Sequence, residues 1–266
     1  MTPTTSRAER TTTYAVLIVF TVIAVFPLLA VASQAFGLPH PSTDAFTGAW
    51  RKGHFARYLT NSLIVVTVVV LAASVLSILA GYALGTMEFT GTTALFYVFL
   101  AGLMVPTEAI VVPLYFDLRS VGLDNTLPGL MLPQIAQSVS FGVFWMRAYF
   151  RSAPRSLIEA SRMDGASSWT TLWRVLLPVG RPAILTMVVL IAMWTWNEFL
   201  LALVIMNSNE DLRTAPLGLS IFQGQHQTEY QMLMAAALIV AAPVVLVYVF
   251  LQRHFIAGML SGAIKE

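Results

Sequence analysis

Long apolar runs recur along this chain, and they constrain its fold more than any other feature. Residues 14–33, 59–84, 93–116, 126–150, 183–206 and 230–251 each form a largely apolar stretch of roughly the twenty residues a helix needs to cross the hydrocarbon core. In lipid every backbone N–H and C=O must find a partner within the protein, which leaves helices or closed barrels. The runs are continuous rather than alternating, which argues for helices and against a barrel. Charged residues make up only 11% of the chain, against about 25% in ordinary soluble proteins. The expectation is an all-α integral membrane protein: a tail at residues 1–13, then one domain over 14–266 with six transmembrane helices, a polar loop at 151–182 between helices 4 and 5, and a tail at 252–266.

The composition also excludes several chemistries. There is no cysteine, hence no disulfide or thiol chemistry. His40, His54, His226 and His254 are isolated and fit no short ligand pattern, so no metal site is expected. No G-x-x-x-x-G-K-[ST] phosphate loop occurs. If ATP drives this protein, another chain hydrolyses it, and the chain is not expected to be an enzyme or to bind nucleic acid. Arg7 and Arg10 before the first run, and Ala30-Val31-Ala32 at its end, also have the form of a signal peptide. The series of spans that follows favours an uncleaved first span, with Pro27 expected to kink it.

Six spans put both termini on one side of the membrane. Ten of the fifteen Lys and Arg residues fall in the termini and the even-numbered loops, which makes that side cytoplasmic by the positive-inside rule. Six of those ten, Arg147, Arg151, Arg155, Arg162, Arg174 and Arg181, lie in or beside residues 151–182, so the orientation rests on this loop.

The loop reads as two short helices. Ser152 and Pro154 suit a helix start, and Gly165 suits a left-handed close. A second helix can begin at Ser167 or Ser168. Trp169, Leu172, Trp173 and Leu176 recur at the spacing of one helical face, and Pro178 and Pro182 separate it from the next span. Asp164 opposes the dipole of its own helix and could instead cap the next one. For Glu159, between Arg155 and Arg162, spacing alone admits a surface ion pair worth under ~1 kcal/mol.

Glu159-Ala160-Ser161, then Gly165, then Val175, Leu177 and Pro178 resemble the EAA loop of ABC-importer permeases, whose pattern is E-A-A-x3-G-x9-I-x-L-P. Ser161 for alanine and Val175 for isoleucine are the two departures. Trp196-Asn197-Glu198-Phe199, Pro216-Leu217-Gly218-Leu219 and the ending Gln252-Arg253-Phe255-Gly258-Gly262-Ala263-Lys265 resemble the maltose-type, MalG-like carbohydrate permeases. Glu266 stands where a final glycine is usual. The resemblance covers most of the chain from Leu59 onward. It implies a coupling helix in which Glu159, Ala160, Ser161, Arg162, Met163, Asp164, Gly165 and Ala166 meet a separate ATPase subunit. It also implies a heterodimer with a second permease, two ATPase subunits that hold the ATP and Mg, an extracellular or periplasmic solute-binding protein, a carbohydrate substrate, and a place in a bacterial inner or plasma membrane with both termini cytoplasmic.

Two groups of polar residues fall within spans, where ionisable side chains are functional candidates. Trp194, Asn197, Glu198 and Leu201 share a helical face, and Gln134, Gln137, Ser138, Phe141 and Trp145 form a stripe on the fourth span. Each group suits a sugar path, with aromatic rings for C–H faces and amides or a carboxylate for hydroxyls. Each equally suits polar contacts between helices. Glu108, after Pro106, is expected to satisfy a broken helix or meet the binding protein. The alternatives are an importer permease for a non-sugar solute and a secondary transporter. The latter has only Glu108 and Glu198 as intramembrane acids and leaves residues 151–182 unexplained.

Overall fold

A computed structural model describes residues 7–206, 208–224 and 229–263, with Ala8 and residues 251–263 as backbone only. The side chains of the C-terminal motif from Gln252 to Ala263, together with His226, His254, Lys265 and Glu266, lie outside the described ones. Two compact units emerge, one of residues 1–55 and 219–242 and the other of 56–218 and 243–266.

In the first unit α1 (Arg7–Ala35) begins within the expected tail and passes through Pro27 unbroken. Its apolar window buries none of its residues. Residues 34–58, read as a connection, contain a further helix, α2 (Asp44–Lys52). Asp44 at its start and Arg51 and Lys52 at its end complement the helix dipole. Phe36 packs on Phe46 with ring centroids 4.8 Å apart, and Lys52 pairs with Glu229.

The second unit is built around α6 (Leu127–Ser152). Thr126 caps it, its hydroxyl oxygen accepting from Gly129 N at 3.1 Å, and Pro128 sits in the first turn, where a missing N–H costs nothing. α3 (Phe55–Thr86) and α4 (Thr92–Met104) accompany it. The core joins Val65, Val69 and Ala73 to Val139, Val143 and Met146. Small residues set how closely the backbones approach, as expected where lipid offers no hydrophobic drive. A Cβ on Gly81 would lie 2.6 Å from Met146 Cβ, and one on Gly142 would collide with Ser77 Oγ.

Three single helices among the described residues are long and apolar enough to cross a membrane: Glu9–Ala35, Phe55–Thr86 and Tyr230–Phe250, the last within α12 (Tyr230–Ala263). Two bent pairs raise the number to as many as five. The first pair is α4 with α5 (Thr107–Ser120), bent by 97°. The expected third span is therefore two helices, parted at Pro106, which lacks the N–H to continue the ladder. Glu108 lies in the first turn of α5, where its charge complements the dipole. The second pair is α8 (Ser168–Val179) with α9 (Arg181–Asn197), bent by 81°. The expected fifth span also breaks: α9 stops at Asn197, Glu198 is extended, and α10 (Leu200–Ile205) restarts the helix. After a 3-10 turn at Glu210–Leu212, α11 (Ala215–Gly218) ends the contiguous part of this unit.

Candidate functional site

Two places gather the polar residues singled out in the sequence. The first is α7 (Arg155–Met163) and the turn after it. Gly165 takes φ +76, a region only glycine enters freely. Its N–H donates to Arg162 O at 3.0 Å, and Ala166 N–H reaches Ser161 O at 2.9 Å. These are the two bonds of a Schellman close. Nothing lies within 4 Å of a Cβ built on Gly165, so backbone conformation rather than crowding demands glycine here.

Ser161 is buried. Its Oγ lies 2.8 Å from Ile158 O and 3.0 Å from Thr171 Oγ1, clipping α7 to α8. Glu159, Ala160, Arg162, Met163, Asp164 and Gly165 are exposed and Ala166 is half-buried. Met163 is 88% exposed, a flexible, polarizable side chain of the kind binding surfaces favour. The three ion pairs among the described residues are Lys52–Glu229, Arg57–Asp211 and Arg213–Glu210. Arg155–Glu159 and Glu159–Arg162 are not among them, so the surface ion pair that spacing admits is absent among the described residues. Beside α7 lies a cleft of about 880 Å³ lined by Arg147, Arg151, Arg155 and Arg162 with Glu88 and Glu159. Arg147 stacks over Phe96, 3.8 Å from the ring centroid.

Two expectations in this loop need correction. Asp164 only ends α7; the next helix is capped by Ser167, whose Oγ accepts from Thr170 N at 3.2 Å. Trp169, Leu172, Trp173 and Leu176 do not share a face: Leu172 and Leu176 are buried, while Trp169 and Trp173 are exposed with ring centroids 5.5 Å apart. Residues Thr171–Leu176 form a π turn. Its wider i→i+5 bonding sets residues three apart further round the helix, dividing the two pairs.

Two tyrosines that the sequence reading passed over hold α8 against the spans. Tyr82 OH of α3 donates to Ser168 O at 3.1 Å, and Tyr149 OH of α6 donates to Leu176 O at 2.9 Å. The available signal was an aromatic near the end of each span.

The second place is a cavity of about 430 Å³ lined by Leu103, Gln134, Gln137, Ser138, Phe141, Trp194, Thr195, Asn197 and Glu198. It brings together both polar groups anticipated within the spans. Phe141 and Trp194 meet edge to face at 4.6 Å. Glu198 Oε1 accepts from Leu201 N at 2.8 Å and so caps α10 across the helix break. Leu201 itself is buried in the core and does not continue the face. Trp145 also lies outside the lining: its ring packs on Phe141, and its Nε1–H donates to Ala183 O at 2.9 Å, fastening α6 to α9. Gln137 Nε2 reaches Thr107 Oγ1 at 2.5 Å, bridging α6 to α5.

A further node is Asn125, at φ +54. Its Oδ1 accepts from Ser208 N at 2.8 Å and Asn209 N at 3.2 Å, while its own N–H donates to Ile205 O at 3.0 Å. Asn61 Nδ2 donates to Asp211 O and Arg213 O at 2.8 and 3.0 Å. The turn signal at Asp124-Asn125 was visible in the sequence; the distant backbone it holds was not.

Residues 73–261 match the family of binding-protein-dependent transport system inner membrane components. The chain is 33% identical over 266 residues to a diacetylchitobiose uptake system permease protein of Streptomyces coelicolor, covering 95% of this chain and 88% of that protein. It is 32% identical over 272 residues to a trehalose transport system permease protein of Mycobacterium tuberculosis, covering 97% and 99%. With a trehalose/maltose transport system permease protein of Thermococcus litoralis it shares 34% over 214 residues, covering 80% and 76%. Its fold is similar to a chain of a bacterial ABC transporter that imports the acidic polysaccharide alginate, with TM-score 0.81, 21% identity, and 96% and 100% of the two chains covered.

Proposed function

The chain belongs to the family of binding-protein-dependent transport system inner membrane components, and on that premise we propose that it is one permease subunit of an ATP-driven carbohydrate importer. It supplies half of the path for an oligosaccharide or related sugar in a bacterial cell membrane, paired with a second, related permease. Two ATPase subunits bind ATP and Mg and hydrolyse the nucleotide, and an extracellular or periplasmic binding protein delivers the sugar. In this reading α6 joins the three single spans and the two bent pairs as a sixth span, and the arginines around α7 support a cytoplasmic place for that end and for both termini. The sugars in the names of the similar permeases, and the aromatic and amide lining of the cavity, support a carbohydrate substrate.

One observation carries the coupling role: α7 is presented outward yet fixed to the spans. The Gly165 close and the Ser161–Thr171 contact join α7 to α8, and Tyr82 and Tyr149 bind α8 to α3 and α6. In this reading Glu159 anchors α7 in a groove of the ATPase, Ala160 allows close approach, and Arg162, Met163 and Asp164 contact its walls. Ser161 faces inward, and Gly165 and Ala166 make the turn. Closure of the ATPase pair then moves α7, α8 and the attached spans as one body between two arrangements. Gln134, Gln137, Ser138, Trp194, Asn197 and Glu198 line the sugar path, while Trp145 braces its wall.

The test is reconstitution of the chain with its permease partner, ATPase and binding protein, measuring sugar-stimulated ATP hydrolysis and uptake. Glu159→Lys is expected to lower both about tenfold or more while the complex still inserts in the membrane. Uptake that persists without any ATPase would refute the importer reading.

A further inference from the structure

The polar atoms around the 430 Å³ cavity are sorted in a way the residue types alone do not require. Gln134 is 4% exposed. Its Nε2 donates to Leu130 O at 3.2 Å, and its Oε1 has no partner. Leu130 O is a carbonyl, so the amide cannot be reversed without losing that bond. Asn197 follows the same pattern: Nδ2 donates to Met193 O at 2.8 Å, leaving Oδ1 as the free end. Glu198 uses one carboxylate oxygen to cap α10 and keeps the other. One N–H of each amide is therefore engaged by the protein's own backbone, while both amide oxygens and one Glu198 oxygen stay open as acceptors in a lining that also holds the Trp194 indole and the Ser138 and Thr195 hydroxyls. No Lys, Arg or His is among the residues lining the cavity.

A buried acceptor without a donor is costly, and buried polar groups in native proteins nearly always have partners. A lining with open acceptors, one carboxylate and no Lys, Arg or His is complementary to a ligand that brings hydroxyl groups and no negative charge. The edge-to-face pair of Phe141 and Trp194 adds an apolar wall, with Trp194 half exposed. Polar groups converging beside an aromatic wall are the usual make-up of a small-molecule site. A pyranose ring fits this division, its hydroxyls donating to oxygens while its C–H face lies on the indole. A uronate ring does not, because its carboxylate would meet Glu198 with no cation to offset it.

We propose that this cavity is a saccharide subsite selective for neutral, hydroxyl-rich rings over acidic ones, with Gln134 Oε1 and Glu198 as its discriminating acceptors. The proposal rests on the carbohydrate-permease reading and deepens it. It also separates this chain by substrate charge from the alginate importer whose fold it shares.

The test uses the full-length chain in lipid nanodiscs, with trehalose and N,N′-diacetylchitobiose as neutral probes and a mannuronate disaccharide as the acidic one. Binding is read by saturation-transfer NMR and tryptophan emission, with Trp194→Phe identifying the reporter. The neutral probes are expected to bind and the mannuronate is not. Gln134→Leu should weaken the neutral probes about tenfold, the scale of one hydrogen bond to a buried group, without lowering thermal stability. Glu198→Gln keeps an oxygen to cap α10 and should admit the mannuronate. Equal binding of acidic and neutral probes, unchanged binding by Gln134→Leu, or no binding of any probe would each overturn the proposal. Co-purification of the same chain with its ATPase, scored separately, reports on the permease reading. Loss of that association with selectivity intact would indict the permease reading and spare the subsite.

Discussion

Two of the helix breaks in this chain, at Gly165 and at Glu198, are held by different means. At Gly165 the backbone carries the turn. Its φ is +76, its side-chain space is empty, and both closing bonds run between main-chain atoms. At Glu198 a side chain carries it: the residue is extended with φ −65 and ψ 116, and its carboxylate replaces the missing backbone partner of Leu201 N. A break held by backbone in water tolerates any neighbouring side chain but only one conformation. A break within a span needs its polar partner from the protein, because lipid supplies none. Substitutions at the two sites should therefore fail in opposite ways.

The largest effect is expected from Gly165→Pro. Proline fixes φ near −65° and removes the N–H that reaches Arg162 O, a loss of about 3 kcal/mol or more on the helix-interior scale. α7 would lose its fixed pose, and ATP-driven uptake should fall to background with span helicity retained. Uptake assays beside circular dichroism of the purified chain check both halves. Wild-type uptake would remove α7 from the coupling path.

Glu159→Lys comes next and separates docking from folding. Glu159 is exposed and outside every ion pair among the described residues, so stability should stay within about 0.5 kcal/mol. Reversing a charge seated in a partner's groove should nonetheless cost about tenfold or more in uptake. A Tm unchanged beside lost sugar-stimulated ATPase activity is the expected signature. A lowered Tm beside retained activity would return Glu159 to a purely structural role.

These contrasts also explain what could be read from residue order. The close of α7 at Gly165 was legible because its constraint is local, a glycine at the end of a helix-forming run, whereas the cap of the next helix fell to Ser167 and not to Asp164. The grouping of Gln134, Gln137 and Ser138 with Trp194, Asn197 and Glu198 followed from helical periodicity on each span, although their meeting in one cavity did not. What escaped was non-local or depended on irregular backbone. The π turn at Thr171–Leu176 moved Trp169 and Trp173 off the buried face, and the breaks at Pro106 and Glu198 cut two expected spans. The hydroxyls of Tyr82 and Tyr149 find carbonyls 86 and 27 residues away. Periodicity assumes one helical pitch and cannot report where that pitch changes.

Glu198→Ala tests the second break. Removing a capping oxygen costs about 0.5–2 kcal/mol and leaves Leu201 N without a partner in a half-buried site. The purified chain should melt a few degrees lower, whereas Glu198→Gln, which keeps an oxygen, should melt within a degree or so of the wild type, the scale of a few tenths of a kcal/mol. Equal melting of Ala and wild type would mean that the break is held by packing of Leu201 and Ile205 instead of the carboxylate. The comparison with Gly165 would then lose its basis.

The smallest effect is expected from Ser161→Ala, which restores the alanine usual at this position of the motif. The substitution removes the Oγ contact to Thr171, and one hydrogen bond is worth about 0.5–1.5 kcal/mol. Its counterpart, the Thr171 hydroxyl, is buried, so its loss of a partner adds to the cost. The main-chain bonds at Gly165 are untouched, so α7 should remain helical and docked. Its tie to α8 should nonetheless loosen, with faster amide hydrogen exchange over residues 155–176 and no change around Glu198. Ser161→Ala with Thr171→Val removes both hydroxyls and should recover most of the lost protection, since neither polar group is then left unpaired. If the double variant exchanges as fast as the single one, the clip between the two helices depends on apolar packing around Leu172, and the Ser161–Thr171 contact only accompanies it.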